Sequence, residues 1–125
     1  MTDLVRFQVF LEDCPSMSTF EIGSNYSFVS VNILDNLVPN WKIYPSSTFK
    51  LPSSVSETNP WLDIIDTKDF KVKVGSIENC IPLTILGHGN DIILGLDNLW
   101  KFISSISFCP PNCLQIKPNQ IPNIP

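Results

Sequence analysis

Short stretches of the chain alternate between apolar and polar residues, and few apolar residues recur at helical spacing. From Leu4 to Leu11, Val5, Phe7, Val9 and Leu11 fall on one side and Arg6 and Gln8 on the other, which predicts a half-buried strand. Glu12-Asp13-Cys14-Pro15 reads as a turn, and Ser18 to Glu21 as a return strand ending at Gly23. Tyr26 to Val29 is β-prone. Ser30 is placed to cap a short helix carrying Val31, Ile33, Leu34 and Leu37, which Pro39 ends. The prolines and serines between Asn40 and Pro60 predict loops and extended segments, with short strands at Trp41 to Tyr44 and Thr48 to Leu51.

Trp61 to Ile65 and Phe70 to Val74 read as a hairpin about a polar turn, Asp66-Thr67-Lys68-Asp69. Ile81 to Leu86 is a further apolar run, Gly87-His88-Gly89-Asn90 a loop, and Asp91 to Gly95 holds a short, fully buried strand. Leu96, Leu99, Trp100 and Ile103 follow at helical spacing, with Asp97 and Lys101 as an i,i+4 pair and Trp100 expected to be buried. Ile106 to Phe108 and Cys113 to Ile116 flank a Pro-Pro-Asn turn as a last hairpin. About seven to nine short strands and two short helices result, a mainly-β domain that is closed or barrel-like.

Composition narrows the picture. The chain has no alanine and is rich in Val, Ile, Phe and Ser, a poor basis for a helical bundle. With 125 residues, one core fits and two do not. The domain is placed at residues 1–116, with 117–125 as an extended, proline-containing tail. A net charge of −4, with the basic residues scattered, argues against direct binding of DNA or RNA. No apolar run approaches the roughly 20 residues of a membrane span. The N-terminal MTDLVRFQVF lacks the parts of a secretion signal. The chain is therefore expected inside the cell, in cytoplasm or nucleus, with its thiols reduced.

Candidate chemistry is sparse. Cys109 and Cys113 flank the Pro-Pro-Asn turn, but His88 is the single histidine, too few ligands for a structural zinc site. Neither metal nor cofactor is expected. Cys14 and Cys80 read as small core or loop hydrophobes. His88, between two glycines, reads as an exposed loop residue, and a Ser or Cys nucleophile would have no oriented base. Of the three tryptophans, Trp61 beside Pro60 is the best candidate for a partner contact.

Two segments carry more specific information: Phe20-Glu21-Ile22-Gly23-Ser24-Asn25-Tyr26-Ser27-Phe28-Val29-Ser30, and Asp91-Ile92-Ile93-Leu94-Gly95-Leu96-Asp97-Asn98-Leu99-Trp100. Together they resemble the retropepsin-like aspartic proteases, a family that includes retroviral and retrotransposon enzymes, and among them the BEL/Pao retrotransposon branch. That loop often reads Asp-Ser-Gly-Ser with Ser-Phe-Ile after it, and the later strand ends in Ile-Gly or Leu-Gly followed by Asp-Asn. Gly23-Ser24, Ser27-Phe28-Val29 and the run Ile93, Leu94, Gly95, Asp97 fit this pattern. The resemblance spans residues 4 to 116 and implies a retropepsin-like closed barrel that pairs as a homodimer, each chain supplying half of the active site.

The departures bear on activity. The catalytic Asp falls on Glu21, and the Thr or Ser that follows it falls on Ile22. The family's chemistry needs two carboxylates sharing a proton, one activating water and the other polarising the scissile carbonyl. Glu is longer by one methylene, and a misplacement near 1 Å costs on the order of a hundredfold. Ile22 has no hydroxyl with which to brace the loop. Asp66-Thr67 is not a substitute, because Lys68 stands where glycine is needed. The flap expected to close over substrate falls at Trp41 to Leu51 or Trp61 to Val74, and neither candidate tip carries glycine. The reading that follows is a catalytically degenerate, retrotransposon-derived domain that dimerises and binds a protein or peptide. The alternatives are an active homodimeric peptidase using Glu21 and a barrel that holds a small ligand.

Overall fold

The computed structural model describes residues 5–21, 23–102, 106–109 and 113–116. Six strands close into a barrel: β1 (Val5–Leu11), β2 (Cys14–Phe20), β3 (Phe28–Ser30), β4 (Ile64–Val74), β5 (Ile77–Leu86) and β6 (Ile92–Leu94), in the spatial order β1-β2-β6-β3-β5-β4. The barrel is mixed, with β2 parallel to β6 and β3 parallel to β5, and the remaining pairs antiparallel. Among the described residues three short helices accompany it: α1 (Val31–Leu37), α2 (Ser53–Thr58) and α3 (Leu96–Leu99), with a 3-10 turn at Trp41–Ile43. The expected closed, mainly-β barrel is what forms, with α2 a helix more than the sequence indicated. Two further strands, β7 (Ile106–Cys109) and β8 (Cys113–Ile116), pair with each other and bring Cys109 and Cys113 into register. Ile22, Ile103, the Pro-Pro-Asn turn and the tail at 117–125 lie outside the described residues.

The inward-facing side of the alternation builds the core. Val9 and Leu11 of β1, Phe20 of β2, Phe70 and Val72 of β4, Ile81, Leu83 and Ile85 of β5, and Leu94 of β6 are all buried. The β1–β2 hairpin turns through Glu12 and Asp13 alone, both at positive φ (48° and 70°). Non-glycine residues rarely adopt this conformation. Here the turn is fastened to β4: the Glu12 backbone N–H donates to the Lys71 carbonyl at 2.9 Å, the Glu12 carboxylate accepts from the Lys71 backbone N–H at 2.6 Å, and Lys71 Nζ meets Asp13 at 2.8 Å. These bonds lie beside the short β1–β4 ladder that closes the barrel.

Several expectations change. The polar run Asp66-Thr67-Lys68-Asp69 is not a turn but the middle of the long strand β4, and the hairpin turn falls at Gly75-Ser76. Its polar residues are partnered. Thr67 bonds Thr84, Asp69 accepts from Ser47, and buried Lys68 donates to the carbonyls of Trp41, Lys42 and Tyr44 at 3.2, 3.0 and 2.6 Å. Those lysine bonds hold Trp41–Ile43 as a 3-10 turn, not a strand, and residues 48–51 form no strand. Cys80 is exposed on β5, while Cys14 is half-buried and donates to the Leu37 carbonyl. Trp100 is 65% exposed. Helix α3 stops at Leu99, so the predicted apolar stripe does not continue, and Asn98 and Phe102 are buried in its place.

Candidate functional site

The site begins with a topological insertion. Strand β6 lies between β2 and β3, pairing Phe20 with Leu94 on one side and Phe28 with Ile93 on the other. The loop from Glu21 to Ser27 therefore has to arch over the end of β6. The Glu21 backbone N–H donates to the Leu94 carbonyl at 3.1 Å, and the Ser24 N–H donates back to the Glu21 carbonyl at 3.0 Å. Leu96 and Asp97 donate their N–H groups to the carbonyls of Ser24 and Asn25 at 2.9 and 3.2 Å. The two segments singled out in the sequence are thus one structure.

Gly95 is required by this contact. A Cβ there would stand 2.3 Å from the Tyr26 carbonyl oxygen and 2.8 Å from that of Ser24, both backbone atoms that cannot swing aside. Gly23 differs, since a Cβ would meet nothing within 4 Å.

Beneath the loop, the buried Ser27 hydroxyl donates to Asp97 Oδ1 at 2.7 Å and accepts from the Gly95 N–H and from Asn98 Nδ2, each at 3.0 Å. Asn98 Nδ2 also reaches the Pro82 carbonyl at 3.3 Å. Burial pushes the Asp97 carboxyl above the ordinary aspartate value, and the Ser27 hydrogen bond works against that shift. Asp97 therefore ties α3 to the loop rather than pairing with Lys101, whose ammonium lies over the Trp100 ring at 5.8 Å. Ser27 and Asn98 were visible in the two motifs only as pattern. Their role depends on three segments meeting in space, which linear spacing does not reveal. Ser30 stands at the N-cap of α1, but its hydroxyl does no capping and accepts the Asp91 N–H at 3.0 Å instead.

Above the loop lies an open cleft of about 490 Å³. Glu21, Phe28 and Ile93 line its barrel side, Val55 of α2 and Trp61 line another, and His88 and Asp91 come from the loop before β6. Trp61 stays 69% exposed there. The segment facing the loop is not a glycine-tipped hairpin. It is the helix α2 and the turn after it, held by the Asn59 N–H and side chain donating to the Val55 carbonyl at 2.9 Å each. Asp66 is outside the cleft lining. Lys50 Nζ at 2.8 Å, the Ser46 hydroxyl and the Thr67 N–H hold its carboxyl down to about 2. Among the described residues no group of His, Cys, Asp and Glu is arranged to hold a metal ion.

No family model and no curated protein matches the chain. Solved structures do. The retroviral protease-like domain of Ddi1 from Leishmania major matches with a TM-score of 0.64 at 13% identity, over 90% of this chain and 87% of that one. The fold is retropepsin-like. A retropepsin-like aspartic protease from Rickettsia conorii gives a TM-score of 0.56 at 12% identity, over 94% and 93% of the two chains. The protease of EIAV, in complex with the inhibitor HBY-793, gives 0.50 at 14% identity, over 78% and 86%. In this retropepsin-like barrel Glu21 and Gly23 occupy the loop at the end of β2, Gly95 ends the strand threaded beside it, and the cleft opens above both.

Proposed function

We propose that this chain is a non-catalytic retropepsin-like domain that pairs with a second copy of itself and uses the cleft above the Glu21 loop to bind an extended peptide segment of a partner protein. One observation carries the reading. The scaffold around the loop is bonded from Glu21 to Leu94 and from Ser27 to Asp97, Gly95 and Asn98, while the sequence resemblance sets Glu21-Ile22 where the chemistry needs Asp followed by a hydroxyl residue. A bonded scaffold keeps a shaped groove. An overlong carboxylate without its hydroxyl brace no longer sets the geometry for water attack. Descent from a BEL/Pao-type retroelement belongs to the same reading and rests on the two sequence motifs.

Two measurements test this. Purified protein incubated with unfolded casein from acid to neutral pH is expected to leave it intact, with no difference from Glu21→Gln. Acid-dependent cleavage that Glu21→Gln abolishes would establish the active peptidase instead. Sedimentation equilibrium is expected to give twice the chain mass of 14.1 kDa, and a monomer at all concentrations would remove the dimer from the reading.

A further inference from the structure

The cleft carries an uncompensated charge. Glu21 and Asp91 both line it, and neither carboxylate has an ion-pair or hydrogen-bond partner among the described residues. No described lysine or arginine lines it either. Five of the described cations are engaged elsewhere: Lys50 with Asp66, Lys71 with Asp13, Lys68 with three carbonyls, and Lys42 and Lys101 near tryptophan rings. The same cleft is lined by Trp61, which has no described hydrogen bond or ring partner. An indole face in water beside a negative field favours a cation carried on an apolar stem.

We infer that the cleft selects a peptide segment in which a lysine or arginine stands next to an apolar or aromatic residue, the cation set between Glu21 and Asp91 and the apolar neighbour against Trp61 and Val55. The inference rests on the cleft being a peptide site, and it adds which peptides enter. Charge complementarity gives the sign of the preference, because an acidic segment would bring like charges together in a partly desolvated groove. Arginine is favoured over lysine, since its planar group stacks on indole while its N–H donors reach a carboxylate.

The test is a selection on the immobilised full chain with a random octapeptide display library at neutral pH and low salt. Enrichment of Arg or Lys beside an apolar residue is expected. A selected peptide should bind about tenfold more weakly when its basic residue is replaced by Glu, and the E21Q/D91N double variant should lose most of that difference. Trp61→Ala should weaken selected peptides whatever their charge. Enrichment of neutral or acidic peptides, or an unchanged charge preference in E21Q/D91N, overturns the inference while leaving the cleft a peptide site. Enrichment of no peptide at all overturns the peptide-binding reading with it.

Discussion

On the proposed reading, Glu21 departs from an aspartic protease loop by one added methylene, and Ile22 by the loss of a hydroxyl. Both are local changes on a scaffold that is otherwise bonded. The double substitution Glu21→Asp with Ile22→Thr is therefore expected to leave the melting temperature within a few degrees and to introduce weak acid-dependent peptide hydrolysis, read with a quenched fluorescent peptide library. Gly95 makes the opposite case. Gly95→Ala drives a methyl into the Tyr26 and Ser24 carbonyls, and a loss of about 2–3 kcal/mol is expected in urea unfolding, since relief requires moving backbone. The importance of Gly95 was legible from its motif. That of Ser27 was not, because a serine before a β-prone pair is ordinary until Asp97 and Asn98 converge on it.

Among the elements, the sequence disclosed the clean alternations of β1 and the second half of β4, and the short apolar run of β6. Runs that break alternation were misread. Asp66 to Asp69 looks like a turn because four polar residues in a row have no apolar face. It is a strand because Thr84, Ser47 and three backbone carbonyls supply partners that only tertiary structure brings. Two outcomes follow. Lys68→Met keeps the stem but removes the ammonium from the Trp41, Lys42 and Tyr44 carbonyls, so a loss of about 1.5–3 kcal/mol is expected by urea denaturation. Asp66, with its carboxyl held down to about 2 in the folded chain, stabilises the fold above the ordinary aspartate range, and that contribution fades as pH falls toward 2. Asp66→Asn should therefore lower the melting temperature at pH 6 and leave it unchanged near pH 2. Helix α2 gave no signal because its six residues, Ser53–Thr58, include no fully buried side chain. A helix without a buried stripe has no periodicity to detect.

At the scale of the whole molecule, the proposed dimer assigns Gly95 to folding and Gly23 to assembly. Gly23 is exposed and a methyl on it meets nothing in its own chain. Gly23→Ala is thus expected to leave the monomer's thermal unfolding unchanged while weakening self-association, measured by sedimentation at several concentrations, because the proposed dimer brings the two loops together. Equal association constants for Gly23→Ala and the unaltered chain would place the dimer contact away from the loop.

Threading β6 between β2 and β3 also sets an order of events in time. Residues 21–27 leave the ribosome before the strand that must slot beneath them, Ile92–Leu94, which is made some 65 residues later. Until it arrives, β2 and β3 have no shared neighbour, and the bonds that tie the arch to β6 and α3 are all long-range. Closing so long a segment makes the cleft a slow, late product of synthesis. A nascent chain stalled before Ile92 would already hold the sequence of β1 to β5 but lack the strand that completes the floor of the cleft.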